Sequence, residues 1–122
     1  MKLKKCKECN SLINVINECN CNNNSIKCCD QDMVDLVPNS TDASFEKHIP
    51  EINISDNYIE VKVNHVMEDE HYIEFISYVG DDFEFIKYFK PGEEATIKLP
   101  YKKGSKVYSY CNKHGLWMKE VE

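Results

Sequence analysis

Six of the seven cysteines (Cys6, Cys9, Cys19, Cys21, Cys28 and Cys29) fall within the first 29 residues of a 122-residue chain, and the seventh, Cys111, lies near the other end. A thiol-dense stretch is either a disulfide framework or a metal site, and the compartment decides between them. The N-terminus, Met1-Lys2-Leu3-Lys4-Lys5-Cys6, has no apolar run behind its charges. No secretory signal is read there, so the chain is expected in the reducing cytoplasm, where clustered thiols more often hold metals.

The same stretch offers little else to fold around. It has one short apolar run, Leu12-Ile13-Asn14-Val15-Ile16, and an Asn-rich, loop-like segment over 17–24. A unit this small needs a staple, and metal ligation supplies it, roughly 10 kcal/mol or more for structural zinc in small peptides. A chain of 14.3 kDa holds one ordinary domain plus a metal-supported appendage, not two independent hydrophobic cores. We therefore expect a cysteine-rich metal domain over 1–37 and a domain with its own core over 38–122, with 38–49 a linker carrying one helical turn.

From Glu51 onward the apolar residues alternate: Ile52/Ile54, then Ile59/Val61/Val63, then Ile73/Phe75 opposite Tyr72/Ile76/Tyr78. Period two is the mark of half-buried strands. Turn residues punctuate the runs at Ser55-Asp56-Asn57, Gly80-Asp81-Asp82, Pro91-Gly92 and Lys103-Gly104-Ser105. With Phe83/Phe85, Tyr88/Phe89, Ala95/Ile97/Leu99 and Val107/Tyr108/Tyr110 this makes about seven short strands, the count of an immunoglobulin-like antiparallel β-sandwich. Trp117 and the tyrosines are expected to pack it.

Charge narrows the partners. Fifteen Lys/Arg against twenty-one Asp/Glu give a net charge of -6, without the basic footprint of a nucleic-acid binder. No apolar run approaches the roughly 20 residues of a membrane-spanning helix, so no membrane association is expected.

Two constellations carry chemistry. Cys6-Lys7-Glu8-Cys9 with Cys28-Cys29 offers four thiolates, a soft set suited to iron or zinc, although Cys19 and Cys21 leave several ways to choose four from six. Those two are spare, regulatory or disulfide-forming. The second constellation uses every histidine in the chain, His48, His65, His71 and His114, with Cys111 three residues before the last. His65 and His71 bracket the acidic turn Glu68-Asp69-Glu70, and loops of a sandwich cluster at its ends, so these side chains can converge. Four imidazoles and one thiolate exceed what a structural zinc takes and leave one octahedral position open. Imidazole suits iron, and an axial thiolate pushes electron density toward whatever binds opposite.

The elements Glu46-Lys47-His48-Ile49-Pro50, His65-Val66-Met67-Glu68-Asp69-Glu70-His71 and Cys111-Asn112-Lys113-His114-Gly115, following Cys6-x-x-Cys9 and Cys28-Cys29, resemble superoxide reductase of the desulfoferrodoxin type. The resemblance spans nearly the whole chain. It implies a desulforedoxin-like N-terminal domain before a superoxide reductase sandwich. It implies a catalytic non-haem iron on His48, His65, His71, His114 and an axial Cys111, and a second iron, with zinc as the alternative, on Cys6, Cys9, Cys28 and Cys29. The implied reaction is one-electron reduction of superoxide to hydrogen peroxide, with electrons from a small protein such as rubredoxin and the chain as a homodimer. Lys47 would steer the anion and organise the water that delivers protons, and Glu46 would take the open position after oxidation. Two departures stand out: Val66 occupies a position usually held by proline, and the Asn-rich insert brings Cys19 and Cys21. The competing readings are a non-enzymatic electron carrier or redox sensor, and a zinc-stabilised interaction module.

Overall fold

A computed structural model describes residues 1–21 and 25–122; residues 22–24 of the Asn-rich segment lie outside it. The chain divides into two compact units, Met1–Val37 and Pro38–Glu122. Among the described residues there is no α-helix, and no helix is long and apolar enough to cross a membrane.

The first unit is built from very short strands, β1 (Leu3–Lys5), β2 (Leu12–Asn14), β3 (Lys27–Cys28), β4 (Gln31–Asp32) and β5 (Val34–Asp35). They form a sheet in the order β2-β1-β5 and a separate β3-β4 hairpin, all antiparallel. Its buried apolar side chains among the described residues are only Leu3, Cys6 and Met33. That is too little burial to offset the ordering entropy of such a segment. Two turns are left-handed at non-glycine residues: Asn10 (φ 64°) follows the Cys6-x-x-Cys9 turn, and Cys29 and Asp30 (φ 53° and 59°) close the β3-β4 hairpin. Two positive φ angles in a two-residue hairpin loop are the type I′ geometry that matches strand twist.

The second unit holds β6 (Glu51–Ile54), β7 (Tyr58–Lys62), β8 (Ile73–Val79), β9 (Glu84–Tyr88), β10 (Thr96–Pro100), β11 (Lys106–Cys111) and β12 (Gly115–Glu120). One sheet runs β10-β7-β6 and the other β12-β11-β8-β9, every pairing antiparallel. The core between them takes Ile59 and Val61 from β7, Leu99 from β10, Ile76 and Tyr78 from β8 and Val107 from β11. This is the immunoglobulin-like sandwich that the alternation predicts. One edge differs from that expectation. Phe83 and Phe89 pack toward the core, but Phe85 and Tyr88 on edge strand β9 are 45% and 70% exposed, because an edge strand has a neighbour on one side only.

Three local devices shape the end of the sandwich. Where β8 meets β11, Tyr110 pairs with Phe75 and Cys111 with Ile73, so Glu74 is an extra residue; this β-bulge returns Ile73 to the core side. A single 3-10 turn over Phe45–Lys47 is stopped by the buried Pro50, whose ring disfavours a helical Ile49 and leaves His48 at the turn's end. The β11-β12 hairpin pairs Cys111 with Gly115 across Asn112-Lys113-His114, and Gly115 has φ 79°. Gly115, the first residue after that loop, holds a left-handed backbone that L-residues rarely adopt, and a Cβ there would also meet the Thr41 hydroxyl at 3.1 Å. Gly115→Ala should therefore lower unfolding stability by about 1–2 kcal/mol, the cost of placing an L-residue in this region. Urea denaturation of the variant against the parent chain measures it.

Candidate metal centres

The turns just described deliver four histidines and a cysteine to one place. His48 ends the 3-10 turn, His65 follows β7, His71 precedes β8, and Cys111 and His114 flank the β11-β12 turn. Their ligand atoms all lie within 4.8 Å of one another. The rings contact in a closed cycle: His48 with His65 (centroids 4.7 Å), His65 with His71 (4.6 Å), His71 with His114 (5.0 Å) and His114 with His48 (4.8 Å), all edge-to-face. A cycle of four puts His48 across from His71 and His65 across from His114. Cys111 Sγ lies 3.5 Å from His65 Nε2 and 3.8 Å from His114 Nδ1, two opposite members of the square. A fifth atom can approach both only from above or below. Cys111 is buried, whereas all four imidazoles line an open cavity of about 430 Å³ together with Lys47, Val66 and Glu68. The thiol therefore stands on the protein side of the square and the cavity on the other.

Hydrogen bonding fixes which nitrogens point inward. His48 Nδ1 is 2.6 Å from the Ser44 carbonyl and His65 Nδ1 is 2.5 Å from the Val66 carbonyl. A carbonyl only accepts, so both Nδ1 atoms carry the proton and both Nε2 atoms carry a lone pair. Those two Nε2 atoms face each other at 3.2 Å, and His48 Nε2 is 3.0 Å from His114 Nδ1. His71 Nε2 is buried with no hydrogen-bond partner. Converging lone pairs without a proton between them are costly unless a cation sits among them. Donors at right angles around a metal with M–N distances of about 2.0–2.1 Å lie about 3 Å apart, the spacing seen. The set fits iron: four imidazoles, one thiolate and an open face.

Residues outside the set hold it in place. Ser109 donates its hydroxyl to the His48 carbonyl (2.6 Å) in the interior. Asn112 accepts from the Tyr72 amide (3.0 Å) and donates to the Glu70 carbonyl (2.9 Å), tying the His71 turn to the Cys111 turn. The indole of Trp117 stacks on His48 at 5.0 Å and donates to the His114 carbonyl at 3.2 Å. The Glu68-Asp69-Glu70 turn is closed by reciprocal backbone bonds between Glu68 and His71. Of these residues the sequence marks Trp117 only as packing and Asn112 only as part of the Cys111–Gly115 element, with no role, and it gives Ser109 no signal, because its partner is distant in the chain. Lys47 reaches the cavity wall. Glu46, exposed on the same 3-10 turn, is not among the residues that line it.

In the first unit, Cys6, Cys9, Cys28 and Cys29 also bring their sulfurs within 4.8 Å of one another. Cys9 and Cys28 are 3.6 Å apart and Cys28 and Cys29 3.9 Å, close to the roughly 3.8 Å edge of a tetrahedron with metal–sulfur bonds of about 2.3 Å. Successive strand residues point to opposite faces, and the left-handed Cys29 is what turns the second of two adjacent sulfurs to the same side. The Ser11 hydroxyl holds the Cys9 thiol down to about 6, and bonding to Cys6 and Cys9 pushes Cys28 up to about 12. A metal would displace the thiol protons of this set. The donor set accepts iron or zinc. Cys19 and Cys21 take no part and are joined as a disulfide.

Burial, first of all, lowers the pKa of His48, His65 and His71 from the usual imidazole value; for His48 and His71 the proximity of His114 adds to it. Burial likewise raises that of the Cys111 thiol. Neutral imidazoles are the form a metal needs. In the metal-free protein the unfolded chain takes up these protons below about pH 6.5 while the folded chain resists, so their stabilisation is present above that pH and lost as pH falls. Urea unfolding of metal-free protein at pH 7.5 and pH 5.5 should show the lower midpoint at the acid pH, and added metal should lose affinity in the same direction.

Known proteins resemble this chain in sequence and in fold. A sequence model described as desulfoferrodoxin matches residues 40–120. A desulfoferrodoxin of Desulfarculus baarsii is 35% identical, with 98% of this chain and 96% of that protein aligned. One of Clostridium acetobutylicum is 36% identical over 82% of each chain. Among solved structures, the superoxide reductase of Treponema pallidum superposes with a TM-score of 0.70 over 97% of this chain and 98% of that one, at 22% identity.

Proposed function

The chain belongs to the desulfoferrodoxin family, and from that membership we propose that it is a superoxide reductase, converting superoxide to hydrogen peroxide with one electron and two protons. The observation that carries this reading is the square of imidazoles with a thiol buried beneath it and a cavity above. In this reading His48, His65, His71, His114 and Cys111 would hold the iron. When bound in that set, iron supplies a one-electron couple and an open coordination position.

The chain's own residues do the rest. The Ser44 and Val66 carbonyls hold the Nδ1 protons of His48 and His65, which keeps both rings oriented and electron-rich. Cys111, on the buried side of the square, would hold the ion as an electron-donating thiolate, and its sulfur accepts the His114 amide at 3.4 Å. Lys47 is the lone Lys or Arg among the described cavity-lining residues, which also include Asp42 and Glu68. Charges beyond about 8 Å are screened at physiological salt, so this wall, not the net charge, sets the field that an approaching anion meets. The Lys47 ammonium attracts superoxide and orders the water that supplies protons. Glu46 would be a further carboxylate donor to the ion, a role that requires the exposed 3-10 turn to shift it toward the cavity.

The four-cysteine group, Cys6, Cys9, Cys28 and Cys29, holds a second iron, zinc being the alternative with the same donors. A small redox protein such as rubredoxin supplies the electrons, two chains form a homodimer, and the protein works in the cytoplasm, where free thiols persist.

Stopped-flow mixing of the reduced, iron-loaded protein with superoxide should give rapid oxidation and peroxide without dioxygen; an electron carrier or sensor would react slowly or not at all, which would overturn the assignment. Lys47→Ala leaves an anionic wall, so it should slow the second-order reaction and flatten its salt dependence. An unchanged rate would remove Lys47 from the mechanism. Cys111→Ser should abolish the thiolate-to-iron(III) absorption of the oxidised centre.

A further inference from the structure

Cys19 and Cys21 stand outside both metal groups, are joined as a disulfide with Cα atoms 5.3 Å apart, and are both exposed. The chain-entropy gain of a disulfide grows with the loop it closes, and a bond across the single residue Asn20 gives the least. The pair lies in irregular chain between β2 and β3, so it staples no strand to another. A bond that adds little to the fold and is open to solvent belongs with labile disulfides, not structural ones. The two sulfurs also differ in setting. Cys19 lines a small cavity of about 230 Å³ with Lys4, Glu18 and Ile26, whereas Cys21 does not.

We propose that Cys19 and Cys21 form a redox-active dithiol that consumes hydrogen peroxide, with Cys19 as the attacking thiol and Cys21 as the resolving one. The inference rests on the superoxide reductase reading for one thing only, the local source of peroxide. The Cys19 thiolate attacks one peroxide oxygen, the O–O bond breaks, and a sulfenic acid forms while the other oxygen leaves, protonated, as water. The Cys21 thiol then attacks the sulfenic sulfur, the S–S bond forms, and the hydroxyl leaves with the thiol proton as a second water. Peroxide gains two electrons, both from the sulfur pair, and a cellular thiol reductant returns the disulfide to the dithiol.

The test uses the full, metal-loaded chain in a reducing glutathione buffer. The pair should first become alkylatable, and equimolar hydrogen peroxide should then remove the Cys19 and Cys21 thiols, and not that of the metal-held Cys9, from the tryptic peptide 8–27, as read by differential alkylation and site-resolved mass spectrometry. Cys21→Ser, exposed to peroxide, should accumulate a dimedone-trapped sulfenic acid at position 19, while Cys19→Ser should trap none; both should keep the parent's rate with superoxide. A pair that stays oxidised in the glutathione buffer, or stays alkylatable after peroxide, overturns the dithiol. Equal trapping in the two variants overturns the assignment of the attacking sulfur. Because peroxide is added directly, a chain inactive toward superoxide but oxidised in this way would sink the proposed activity and leave the dithiol standing.

Discussion

The imidazoles of His48 and His65 turn unprotonated nitrogens toward each other across 3.2 Å, held there by carbonyls that have already claimed their other protons. Without an ion this arrangement is an electrostatic cost carried by the fold. Everything at this end of the sandwich serves to hold that cost in place. Ser109 fixes the backbone of His48, Asn112 joins two turns, and the bulge at Glu74 keeps Cys111 and Ile73 facing inward together. The architecture stores, in rigid strands, the directional preference of a metal ion.

The two units meet the same demand by opposite means. In the sandwich, burial of a full apolar core supplies the stability, and the histidine set draws on it. In the first unit, where Leu3, Cys6 and Met33 are the buried apolar side chains among the described residues, the four sulfurs are the main organising contact.

Much of this was legible in the residues. Period-two alternation gives the strands of the sandwich, and loops at one end of such a fold are where His48, His65, His71, Cys111 and His114 converge. The hairpin that carries Cys111 and His114 is not legible in that pattern: the alternation ends at Tyr110, whereas Gly115 opens a further strand, β12. What stayed hidden depends on contacts between distant positions. Nothing local marks Ser109 as a support for a carbonyl 61 residues away, or Asn112 as the tie to Glu70, because hydroxyls and amides are ordinary on strands and turns. The adjacent Cys28 and Cys29 looked unfavourable for one ion until the positive φ of Cys29 supplied the reversal. The exposure of Phe85 and Tyr88 reflects which strand becomes an edge, a property of topology that alternation does not encode.

Trp117 is the only tryptophan in the chain, and its ring lies nearly parallel to that of His48 at an interplanar angle of 20°. A fluorophore stacked on one wall of the histidine square senses what fills it. Its emission is thus an intrinsic optical gauge of occupancy and oxidation state, one that any sample of this protein carries without a label.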